Sequence, residues 1–300
     1  MPSYATHHIF ATTVQRVTGD PPARIAANAP IAYRWGAQGP DPLLFYHAPL
    51  PNALHRLGQR LYTEPPAPLF EALCEAAVQA HDTTALAYVF GFCTHYALER
   101  VTSGFITAQA DRLARILPGY PAETRRRMVE TDIDGIMIAG YITADPTQYK
   151  AYRLLDPGSS ECIVLARVLA QAVRETCAVR LSPAAVYRSL HDMRRVLRLA
   201  HHGEQLRGHL AHLDRLTGKT GLAAARIPSA QPLAADCANQ AHRPWMSNDV
   251  ERTDSFCDLF DAAVPLAVSL QRIVLERYYQ QKPLDARFFP TDLTGTPIKK

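Results

Sequence analysis

No two of the six cysteines, at 74, 93, 162, 177, 237 and 257, stand in CxxC spacing. Neither a zinc ribbon nor a dithiol redox motif is indicated, and thiols inside apolar helical stretches read as buried. Charge is sparse, at 20% against 47% apolar residues, a profile that excludes a disordered chain. The net charge of +4 is small. The arginines between Arg188 and Arg215 alternate with Leu, Val and Ala as a solvated helix face would, without aromatic interleaving, so no nucleic-acid partner is expected. No apolar run is long enough to span a bilayer. No segment sets a strongly basic face opposite large aromatics, so no stable membrane anchor is expected either. The opening MPSYATHHIFATTV has no basic start followed by an apolar run. No secretion signal is expected, and the cytoplasm is the expected compartment.

The chain also lacks sustained alternation of period two, a strand-turn-strand signature, internal repeats and low-complexity tracts. An all-α fold follows, expected as a single domain over residues 1–300 with about nine or ten helices. A chain of 300 residues buries roughly three quarters of its unfolded surface and needs no covalent staples.

The stretch Ala85 to Phe105, ALAYVFGFCTHYALERVTSGF, is apolar on nearly every side of a helical wheel and predicts a helix packed on all faces. His95 and Glu99 lie one turn apart on it, on one face. A buried ionisable pair must find a partner charge, hydrogen bonds or a metal ion. The plain reading is a core histidine bonded to a carboxylate; the sharper one is a ligand pair.

Around this helix, Ser3 to Val17 has helical spacing and carries His7 and His8. Pro21 and Pro22 suit the first turn of a helix through Arg24 to Ala29, which Pro30 should disturb. The glycines and prolines of residues 34–51, RWGAQGPDPLLFYHAPLP, predict a packed loop without regular structure. Asp41 stands there between two prolines, either as a fixed ligand or as the cap of a short turn. Helices are predicted over 52–62, 66–81, 122–138, 159–177 and 182–200, with Asp82 as N-cap of the central helix. Within 122–138, Glu130 follows Arg125, Arg126 and Arg127. His209 and His212 are spaced i,i+3, and a solvated face is the preferred reading. Residues 218–248 predict a surface excursion or a lid. A long helix is predicted from Asp249 to Gln281, kinked at Pro265.

The order of short blocks resembles the bacterial zinc-dependent phospholipase C family. They are TH at 6–7, GxQGPD ending at Asp41, LFYH, LGxRLYTEP, AYVFGFCTHYAL and VETDID. The resemblance covers residues 3–140 by motif, with 141–300 as the helical completion. It implies an all-α fold and hydrolysis of phosphodiesters such as phospholipids at a cluster of three zinc ions. Such a cluster generates a hydroxide and neutralises the phosphate. His7, Asp41 and His95 fall on family ligands, Glu99 replaces a ligand aspartate, and Glu130 falls on a ligand glutamate; Asp41 is also implied as a catalytic carboxylate. Three expected histidines are replaced, by Tyr62, Ser103 and Arg126. The site shared by the last two positions and Glu130 should then be empty of metal. His7, Asp41, His95 and Glu99 should hold at most one zinc ion, with Arg126 supplying a two-pronged charge to Glu130. Hydrolysis is expected to be reduced or lost, the alternative being a non-catalytic relative that binds a ligand or protein.

Overall fold

The computed structural model describes residues 4–48, 50, 52–201 and 235–298. Its axis is the predicted apolar stretch, which runs further than its composition marks: Thr83–Leu113, 31 residues, is one helix. We number this helix α6, and its residues from Ala85 to Glu99 are all buried. Asp82 starts it by accepting a hydrogen bond from the Thr84 amide, relieving one of the unpaired donors of the first turn.

Before it come α1 (Tyr4–Val17), α2 (Pro22–Asn28), α3 (Pro30–Gly36), α4 (Ala53–Thr63) and α5 (Pro66–Ala80). After it come α7 (Ala122–Met137), α8 (Glu161–Cys177), α9 (Pro183–His201) and α10 (Phe256–Gln280). Helices α1, α2, α3, α5, α7, α8 and α10 all pack on α6. α3 and α6 meet backbone to backbone: a Cβ on Gly91 would stand 2.1 Å from the Tyr33 carbonyl oxygen, and one on Gly36 2.1 Å from that of Tyr88. Only glycine permits that approach.

The helix expected to be disturbed by Pro30 does end before it, α2 stopping at Asn28, and Pro30 also opens α3, at a first-turn position where its missing N–H is harmless. Two expectations are corrected. The segment 34–51 is not wholly irregular, because α3 extends to Gly36 and Asp41–Phe45 forms a 3₁₀ turn. The last long helix begins at Phe256, not near Asp249, behind a capping box of Ser255 and Asp258. The residues ahead of it form an antiparallel hairpin, β1 (Trp245–Ser247) and β2 (Val250–Arg252). Pro265 sits inside α10.

The fold is thus mostly helical, with ten α-helices and this one two-stranded sheet among the described residues. No described helix is long and apolar enough to cross a membrane. His209, His212 and residues 218–234 of the expected excursion lie outside the described residues.

Candidate functional site

The site is built where α1, α4, the 3₁₀ turn and α6 converge. Asp134 of α7 fixes the start of α1. Its carboxylate accepts from the Thr6 amide at 2.8 Å and hydroxyl at 2.6 Å, and from the Ala5 amide at 3.2 Å. A carboxylate at a helix N-terminus meets both its free amides and its positive dipole end. This clamp sets His7, the next residue, against α6. There its Nε2 lies 3.1 Å from Glu99 Oε1, with both side chains wholly buried. The imidazole of His7 stacks on that of His95, ring centres 4.5 Å apart.

His95 is positioned from the other side by Gly39. Gly39 has φ +53°, and a Cβ there would stand 2.3 Å from His95 Cδ2, so the loop can cross the ring only as glycine. His95 Nδ1 lies 3.2 Å from the Ala37 carbonyl oxygen. A carbonyl only accepts, so the proton of the neutral ring sits on Nδ1. Burial, aided by neighbouring His7, pushes the His95 imidazole down to about 3, which keeps it neutral. Its Nε2 faces the Tyr62 hydroxyl at 3.3 Å. Tyr62 in turn donates its proton to Asp41 Oδ1 at 2.6 Å. Burial pushes the Asp41 carboxyl up to about 6, against the lowering effect of the Tyr62 hydrogen bond. Asp41 therefore does not serve as a turn cap; it accepts the one proton of Tyr62, whose oxygen also lies against His95 Nε2.

One turn further along α6 lies Ser103, opposite α7. Arg126 Nε donates to Glu130 Oε1 at 3.2 Å, Nη2 to Ser103 Oγ at 3.1 Å and Nη1 to Thr107 Oγ1 at 2.6 Å. Arg127 Nη1 donates to the second carboxylate oxygen of Glu130 at 2.9 Å. The expected two-pronged contact from Arg126 is thus corrected: two arginines contribute one prong each. Burial raises the Glu130 carboxyl, but the surrounding positive charge, that of Arg127 and Arg126 included, holds it at about 2. Sequence reasoning passed over Arg127, although its i,i+3 spacing to Glu130 places it on the same helix face as Arg126.

His7, Asp41, His95 and Glu99, and all four residues at replaced or former positions, Tyr62, Ser103, Arg126 and Glu130, thus lie in two contiguous polar clusters. A small cavity of about 50 Å³ opens beside them, lined by Asp41, Arg127 and Glu130 on one side and by Met193, Val196 and Leu197 of α9 on the other. That is room for a water or two. Gln38, fully buried in the GxQGPD block, has no hydrogen-bond partner for either amide atom among the described residues. The polarity of that block was its only signal.

Does this donor set suit zinc? His95 has the backing of a metal ligand, with Nδ1–H on a backbone carbonyl and a lone pair on Nε2. His7 does not: its Nε2 is turned to Glu99, and its Nδ1 has no partner among the described residues. Among the described residues no three His, Cys, Asp or Glu side chains are grouped to hold an ion. The arrangement does not fit the cluster that the resemblance implies. Instead the side chains satisfy one another, His7 with Glu99, Asp41 with Tyr62, and Glu130 with two guanidiniums. Compared with family models, curated proteins and solved structures, the chain matches none.

Proposed function

We propose that this chain is a helical relative of the zinc-dependent phospholipases C in which phosphodiester hydrolysis is reduced or lost. The old catalytic pocket serves as a polar core, and the chain retains at most one zinc ion. The observation that carries the reading is the Glu130 cluster. At the two positions where the family has ligand histidines, Arg126 and Ser103 are hydrogen-bonded to each other, and Arg126 and Arg127 neutralise the carboxylate. A guanidinium does there what a divalent ion would do for charge, without supplying a Lewis acid or an activated water. The size of the cavity supports the same reading. Sites for drug-sized ligands enclose about 300–1,000 Å³, against about 50 Å³ beside Asp41.

The test is elemental analysis of the purified protein after dialysis, followed by turnover of a chromogenic phosphodiester with and without added zinc. The reading expects no more than one equivalent of zinc and no zinc-dependent turnover. Two or more retained equivalents, with turnover that a chelator abolishes, would overturn it.

A further inference from the structure

A second cavity opens beyond the C-terminal turns of α6, with a volume of about 460 Å³. Of the described residues in its wall, Val129 alone belongs to the blocks that carry the family resemblance, and its chemistry is different. Arg112, Arg115 and Arg243 line it, with Asp236 the one acidic side chain among the described residues of its wall. Asp236 is committed to its own turn, its two carboxylate oxygens accepting from the Gln240 and Ala241 amides. Three guanidiniums against one engaged carboxylate leave the cavity positive. The C-terminal dipole of α6 favours such cations and opposes an anion, but Arg125 already covers one of the carbonyls there, that of Ala110.

Gln109, also in the wall and 6% exposed, adds a second observation. Arg112 Nη1 donates to its Oε1 at 3.3 Å. Arginine has no acceptor, so the oxygen of this amide must face Arg112. Its nitrogen is then turned away, buried, and without a hydrogen-bond partner among the described residues. A buried N–H donor left unmade is unfavourable, so the edge of this cavity carries a polar group that the described residues leave unsatisfied. Arg112 is itself held in place, since Nη2 donates to the Pro244 carbonyl. The opposite part of the wall is apolar, made by Leu113, Ile116 and Val129.

We infer that this cavity binds a small organic phosphate. Its dianionic group meets Arg112, Arg115 and Arg243, and its organic part lies on Leu113, Ile116 and Val129. Guanidiniums match phosphate oxygens in geometry as well as charge, and the volume falls within the range of small-molecule sites.

The probe is phenyl phosphate, titrated calorimetrically into the full-length protein, with inorganic phosphate and phenol as its two halves. Saturable binding at one site is expected, tighter for phenyl phosphate than for either half. Arg115→Gln with Arg243→Gln should weaken it about ten-fold or more. The pair Arg24→Gln and Arg287→Gln removes the same charge from exposed positions elsewhere and should leave it within about two-fold, as exposed charges act weakly over distance. Should the first pair fail to melt cooperatively, Arg115→Gln alone, at an exposed side chain, carries the test, with an expected loss of about three-fold or more. No saturable binding, or equal weakening by both pairs, would overturn the assignment. Inorganic phosphate binding as tightly as phenyl phosphate would overturn its organic part. None of these outcomes depends on the zinc content or on hydrolysis.

Discussion

Two polar regions lie along α6, and they differ in how far their polar groups are paired. Around His95 and Glu130 each ionisable side chain has a protein partner, and the cavity beside them is about 50 Å³. Around Gln109 an amide nitrogen is left without an acceptor among the described residues, three arginines share one wall, and the cavity is about 460 Å³. Desolvated charge that is fully paired contributes to a unique fold; charge held apart from its counterion is a place for a ligand. The contrast predicts that substitutions in the first region lower stability and that substitutions in the second lower affinity.

The largest effect should come from cutting the cations from Glu130, which is 2% exposed. Arg126→Ala with Arg127→Ala should destabilise the protein by about 3 kcal/mol, and Glu130→Gln added to that background should recover much of the loss. Urea unfolding measures both. A loss under about 0.5 kcal/mol would place these arginines with ordinary surface charges.

Nearly as large is the pH dependence of the same carboxylate. Its folded pKa, about 2, lies below the ordinary 4.5, so the folded state binds its proton more weakly than the unfolded chain does. The stabilisation is present above pH 4.5 and is lost as the pH falls towards 2. It amounts to about 3 kcal/mol by linkage. Glu130→Gln should flatten the acid limb of the stability profile, and an unchanged limb would contradict the ion-pair account.

Tyr62→Phe removes the hydroxyl between Asp41 and His95. It leaves a buried carboxyl without its donor and should cost about 1–3 kcal/mol. Asp41→Asn in the same chain should reduce that cost. Smallest of all, Arg115→Gln should change stability by under about 0.5 kcal/mol. A large loss there would make the second region a structural cluster like the first and dissolve the contrast.

The sequence revealed the elements whose start signals are local. Asp82 and Asn52 accept from the first-turn amides of α6 and α4, and Pro66 opens α5. The hairpin escaped because each strand is three residues long, too short to show a period of two. Its one signal lay in the turn: Asn248 and Asp249 both have positive φ, at +48° and +62°, as a two-residue hairpin turn requires. Pro30 was read as the stop of one helix but not as the start of the next, because proline disfavours helix in the residue before it and also suits a first turn. The grouping of His7, Asp41, His95 and Glu99 was anticipated through block order, since 92 positions separate His7 from Glu99 and no local pattern links them. What these residues do to one another was not legible. Tyr62, at the place of an expected histidine, is the hydrogen-bond donor to Asp41, and Arg127, which the sequence reading passed over, holds the second oxygen of Glu130. The second cavity gave no sign, because Gln109 and Arg243 meet only in the folded chain.

The central claim is that side chains now stand where metal ions would. Zinc titration, followed by calorimetry and elemental analysis, tests it on the natural protein and on the variant Tyr62→His, Ser103→His, Arg126→His. The account predicts at most one bound zinc for the natural protein and at least one more for the triple variant. Two or more zinc ions in the natural protein, or no gain in the variant, would contradict it.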